Sequence, residues 1–182
     1  YKTQMKLTDV KAALTLANRR NPYLRMFLAW LQKNSYTLIA TQVPVGHTGI
    51  NCGTLADAVI RDKKKRYRPL EFKTGFENYL YKATRHKMKA PFQDQPDHPH
   101  NQHLLQTVQT GVLYKHNLPN NAGEPILLYL QTPGIQEFHP PQWLKQRIPE
   151  MQLVIKNRGL KPKKAKAHKP SSAAPGKKSR SD

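Results

Sequence analysis

A chain of 182 residues with 37% hydrophobic content has material for one compact core of about 150 residues and a tail, not for several domains. Lysine and arginine number 31 against 11 acids, giving a formal net charge of +20 and a pI near 10.2, so polyanions are the expected partners, nucleic acid first and an anionic membrane surface second. No run of about 18 apolar residues exists, which excludes a bilayer-spanning helix, and a single cysteine, Cys52, excludes an internal disulfide and an all-cysteine zinc site.

In chain order, Thr8 or Asp9 reads as the N-cap of a helix over residues 10–20, with Val10, Ala13, Leu14 and Ala17 at helical spacing. Pro22 interrupts it, and Leu24, Phe27, Leu28 and Leu31 share one face of a second helix. "TLIATQVPV", "TLADAVIRD" and "RPLEFKTG" read as three strands, expected antiparallel, with a charged hairpin loop over residues 63–68 between the last two. Residues 76–99 form a long polar excursion, and long loops tend to carry function. A third helix carries Leu105, Val108, Val112 and Leu113 on one side and Gln102, Gln106 and Gln109 on another. "EPILLYLQ" is a fourth strand, and "PPQWLKQRIPEMQLVIKN" a closing helix broken at Pro149. The expected organisation is one domain over residues 1–157 and a disordered basic tail over 158–182. Arg158, Arg180 and seven lysines stand there against Asp182, less than half of the net charge, so the body is basic too.

Two acids break the apolar pattern of the predicted strands. Alternation puts Glu71 and Lys73 on one face of their strand and Phe72 on the other. A hairpin centred on Lys64 sets Asp57 opposite Glu71, the register that a turn through residues 63–68 makes. Two carboxylates so placed repel unless a proton or a cation lies between them. Magnesium, or manganese in its place, satisfies them with few oxygen ligands and several waters, so Asp57, Glu71 and a backbone carbonyl such as that of Phe72 would suffice. Lys73 is then positioned to orient or activate a water, or to stabilise charge growing on a phosphate.

"GTLAD" followed 14 residues later by "EFK", then a glutamine-bearing helix and a strand, resembles the core of the PD-(D/E)XK nuclease superfamily, especially its RecB-like and phage-type exonuclease branches. The resemblance covers residues 8–131. It implies an α/β restriction-endonuclease-like fold with a central mixed sheet of about four strands, and metal-dependent hydrolysis of DNA in recombination, repair, replication or genome processing, with RNA as the alternative substrate. It also implies Asp57 and Glu71 as metal ligands, Lys73 as the catalytic lysine and Gln106 as the supporting glutamine, with Gln102 one turn before it. Departures from the family pattern are an extra residue in "GTLAD", Thr110 where a tyrosine is usual, and Gln42 in the first strand where an acid is expected. The competing reading is an inactive nuclease-fold module that binds nucleic acid within a larger assembly.

Lys63, Lys64, Lys65, Arg66 and Arg68 in the hairpin loop, and Lys82, Arg85, Lys87 and Lys89 in the excursion, are the expected phosphate contacts. Tyr79 and Tyr81 interleave with the second group, a pattern suited to stacking on single-stranded bases. His98, His100 and His103 do not fall on one helical face, which argues against a zinc site there. The chain reads as soluble and intracellular, in the nucleus or another DNA-containing compartment, including the mitochondrion or a virus-infected cell. It opens at Tyr1 and not at a methionine, which leaves any targeting signal unread.

Overall fold

The computed structural model describes residues 21–47, 49, 52–75, 80–82, 86–118, 120–131 and 134–159; the predicted helix over residues 10–20 and the tail from residue 160 onward lie outside them. Helix α1 (Pro22–Asn34) starts at Pro22, whose missing N–H is not needed in a first turn, and Asn21 caps it by accepting from the Leu24 N–H at 3.1 Å. Of the predicted apolar stripe, Phe27, Leu28 and Leu31 are buried against the sheet together with Trp30, while Leu24, in the first turn, is exposed.

Strands β1 (Thr37–His47), β2 (Cys52–Arg61) and β3 (Tyr67–Thr74) run antiparallel in sequence order. Helix α2 (Pro99–Asn117) then crosses over to β4 (Ile126–Gln131), which pairs parallel with β3, and β5 (Gly134–Phe138) closes the sheet antiparallel to β4. Two further helices, α3 (Gln142–Gln146) and α4 (Ile148–Gly159), complete the described chain. The result is α/β, a mixed five-stranded sheet in the order β1-β2-β3-β4-β5 flanked by helices. The expected count of about four strands is thus corrected to five. The added strand is short, lies at an edge and is followed by prolines, so its apolar alternation is weak in sequence.

Every residue of β4 is buried, as a central strand covered on both faces requires. Ala58, Ile60, Leu70, Ile126 and Leu128 meet α1, with Phe27 edge-on to Phe72 at 4.9 Å; Val59, Leu127 and Tyr129 belong to a second core with Leu104, Val108 and Leu113 of α2. Gly111 lets α2 approach closely, because a Cβ there would lie 2.6 Å from Pro125 Cγ. Pro149 occupies the first turn of α4, and the expected break falls just before it. That helix runs past the expected boundary at residue 157.

The long excursion is anchored, not simply superficial. Leu80, Met88 and Phe92 are buried, and the His100 N–H donates to the Leu80 carbonyl at 3.1 Å. Among the described residues no helix is long and apolar enough to cross a membrane.

The hairpin loop is pinned at its base by Asp62. Its carboxylate accepts from the Arg66 N–H and guanidinium at 2.9 Å and from Arg68 Nε at 3.1 Å. Burial opposes the Asp62 charge, but these bonds outweigh it and bring its pKa down to about 2. Asp62→Ala is expected to cost about 1–2 kcal/mol in urea unfolding at pH 7, held to that range because the Arg66 side chain is 42% exposed and water screens the pair. The difference from the parent should shrink as pH falls from the ordinary carboxylate range through 2, where both proteins lack the charge.

Candidate active site

Cross-strand pairs Arg61 with Tyr67, Ile60 with Arg68, Val59 with Pro69 and Ala58 with Leu70 define the register of β2 on β3. Continued by one residue, it sets Asp57 beside Glu71, as the hairpin reading expects. Both carboxylates then lie on the face covered by α2, with Lys73 two residues along the same face. The Phe72 N–H donates to Asp57 Oδ2 at 2.8 Å, so the backbone of β3 fixes the aspartate.

Glu71 is 2% exposed and its oxygens are held from α2: Thr110 Oγ1 donates to Oε1 at 3.0 Å and Gln106 Nε2 to Oε2 at 3.3 Å. Lys73 Nζ donates to Gln106 Oε1 at 3.0 Å and lies 3.7 Å from Glu71 Oε2. Gln106 therefore bridges acid and lysine, its amide nitrogen serving one and its oxygen the other. Burial pushes the Glu71 carboxyl above the usual carboxylate range; the Asp57 charge and a carboxyl–carboxyl hydrogen bond push the same way, against Thr110 and Lys73.

Gln102 does not join this group: its Nε2 donates to Asp97 Oδ1 at 2.6 Å. Thr110 does join it, and sequence reading noted it only as a departure. The signal was its place four residues after Gln106, hence on the same helical face. Gln42, the other departure noted in the sequence, is exposed. Thr41 and Val43 pair with Ala58 and Ala56, which leaves Gln42 across from Asp57, with a left-handed φ of 51°. A non-glycine residue held there is uncommon, and such positions concentrate at functional sites.

The three histidines serve separate purposes. His98 Nδ1 accepts from the Asn101 N–H at 3.2 Å and caps α2. His100 packs edge-on to Phe138 at 4.6 Å, and burial, with His98 behind it, lowers its pKa to about 4. His103 Nδ1 lies 2.7 Å from the Tyr129 hydroxyl, and burial, with Lys73 and His100 nearby, brings it to about 4. Among the described residues no group of three or more His, Cys, Asp or Glu side chains is placed to hold a metal ion. Asp57 and Glu71 offer carboxylate oxygens, donors of the type that suits a hard divalent cation retaining most of its waters.

Lys63, Lys64 and Lys65 are exposed at the hairpin tip, and Lys82, Lys87 and Lys89 are exposed around the buried anchors of the excursion. Arg85 lies outside the described residues. Arg66 and Arg68 are both engaged by Asp62, and Arg68, 11% exposed, presents the least of itself to a polyanion. At about 3.3 Å per residue the hairpin tip begins about 20 Å along the strand direction from Asp57, so it can grip a backbone only well away from the carboxylates.

No protein-family model matches the chain, and no curated protein matches it. Among solved structures, one described as "Crystal structure of SSO0001" aligns at 16% identity over 78% of this chain and 67% of that one, with a TM-score of 0.34, a likeness too loose to carry an argument.

Proposed function

We propose that the chain is a metal-dependent nuclease that hydrolyses phosphodiester bonds of DNA from a PD-(D/E)XK core. The observation that carries this reading is the convergence of Asp57, Glu71, Lys73 and Gln106, from two strands and the crossover helix, on one partly buried point. A stability argument alone would fill those strand positions with apolar residues. Asp57, Glu71 and the Phe72 carbonyl would hold magnesium or manganese, which when bound polarises a phosphate oxygen and acidifies a water.

This chain's own residues do the rest. The Phe72 N–H and Thr110 hold the two carboxylates facing one another, so the donor set is formed before any ligand arrives. Gln106 fixes the direction of the Lys73 ammonium, which orients the attacking water and stabilises charge growing on the phosphate. Exposed lysines of the excursion and the hairpin tip retain the DNA backbone without reading its sequence.

A second reading has its own observation. Both Glu71 oxygens already accept from Thr110 and Gln106, as in an inactive fold kept for binding. Digestion of end-labelled linear and circular DNA, single- and double-stranded, with magnesium, manganese or EDTA separates the two. Metal-dependent cleavage supports the nuclease, and sparing of circles makes it an exonuclease. Salt-sensitive binding without cleavage under any metal selects the binding module.

A further inference from the structure

Beside α2 lies a groove of about 900 Å³ that the catalytic reading does not use. Gln106 and Thr110 reach Glu71 on the sheet; Val112 and Lys115, on another side of the same helix, form one wall, with the buried Val108 and Leu113 at its foot. Ile148, Gln152 and Lys156, successive turns of α4, form the opposite wall, and Pro125 and Pro140 line the groove between them. Lys115 and Lys156 are exposed at the rim, while the half-buried Lys145 is paired at 2.8 Å with Glu124, the acid among the lining residues.

We propose that this groove receives an acidic amphipathic helix of a partner protein. Two roughly facing helices over an apolar floor make the slot into which a third helix lays anchors at i, i+3, i+4 and i+7. The volume has room for several large aliphatic side chains, and the lysine rim selects acidic flanks. Charge sets aside the two ends of the chain as occupants: residues 1–20 hold Lys2, Lys6, Lys11, Arg19 and Arg20 against Asp9, and the tail is more basic still. A second copy would bring the same lysines to face these. A nucleic acid matches the rim, but the floor is aliphatic, and the two aromatic rings in the wall, His47 and His116, stack on each other at 3.6 Å and leave no paired platform for bases. None of Asp57, Glu71, Lys73 and Gln106 lines the groove, so partner and substrate would occupy different residues.

The test uses the full chain and fluorescein-labelled 15-residue peptides, read by anisotropy. One peptide places leucines at i, i+3, i+4 and i+7 with glutamates on the flanks; a second scrambles that sequence; a third exchanges glutamate for lysine. The patterned acidic peptide is expected to bind about tenfold or more tightly than its scramble, to lose about tenfold on the Lys115→Glu, Lys156→Glu protein, and to be replaced there by the lysine peptide. Val112→Glu should abolish binding, and the charge reversals keep the test decisive if that variant does not fold. Equal binding of the scramble would reduce the effect to net charge and overturn the proposal. Competitive displacement by a 20-nucleotide single strand would assign the groove to nucleic acid, and dimerisation lost in Val112→Glu would assign it to a second copy. Single-turnover DNA cleavage at saturating protein should be unaltered by the charge reversals, so this result stands apart from the fate of the nuclease reading.

Discussion

Lys73→Ala is expected to lower metal-dependent DNA cleavage by about a thousandfold or more while DNA affinity changes by less than about twofold. The ammonium is a poor candidate for bulk attraction. Its side chain is 17% exposed, it is shared between Gln106 and Glu71, and the exposed lysines elsewhere dominate the long-range field. Its value lies in direction. Lys73→Arg keeps the charge but replaces a compact ammonium with a planar fork, and should rescue little. Gln106→Ala frees the lysine without removing it, and an intermediate loss of about 10–100-fold is expected, the usual range for a group that orients another. Single-turnover cleavage and anisotropy binding on the same DNA measure both quantities. A Lys73→Ala protein that loses binding in proportion to cleavage would make Lys73 a phosphate contact and contradict the assignment.

The second expected result concerns stability without metal. Glu71 has a folded pKa above its unfolded value, so its contribution to stability is fully present below the unfolded pKa and is lost as pH rises through the folded one. His100 and His103 act in the opposite sense: their folded values near 4 lie below the ordinary 6.5, so their contribution is lost as pH falls across that interval. Comparing the parent with Glu71→Gln cancels the histidines. In EDTA the parent should lose thermal stability relative to Glu71→Gln as pH rises out of the ordinary carboxylate range and through the raised Glu71 value. Magnesium at a hundred times its dissociation constant should return about 2.7 kcal/mol to the parent at pH 8, about 5–10 °C for a domain of this size. It should return almost none to Asp57→Asn. Parallel melting curves for parent and Glu71→Gln at every pH would mean that the two carboxylates do not strain each other. An equal magnesium response in all three proteins would place the metal elsewhere.

Legibility in the sequence followed the range of the interactions involved. The β2–β3 register could be read because one charged loop fixes its own centre, and a local turn determines everything paired on either side of it. Helices α1 and α2 and strand β4 carried strong periodicity or a continuous apolar run. Strand β5 did not: five residues at an edge next to prolines look like loop until β4 supplies a partner. The anchoring of Leu80, Met88 and Phe92 was hidden because isolated apolar residues in a polar segment show no period. At the candidate site the strand residues were legible from spacing alone. Between the two glutamines the resemblance favoured Gln106, while spacing alone keeps both near one helical stripe; the crossing of α2 over β3 brings Gln106 to Glu71 and leaves Gln102 to Asp97.

That crossing has a consequence for the order in which the chain becomes competent. Antiparallel β1–β2–β3 needs only short turns, so Asp57, Glu71 and Lys73 can be neighbours as soon as the hairpins close. The parallel β3–β4 pair and the helix between them demand closure of a much longer stretch of chain. Until α2 docks, Glu71 lacks the Thr110 and Gln106 donors and Lys73 has no fixed aim. A folding intermediate made of the hairpins alone would therefore carry the acids and the lysine of the site in a disarmed arrangement, and the crossover helix works as the final latch.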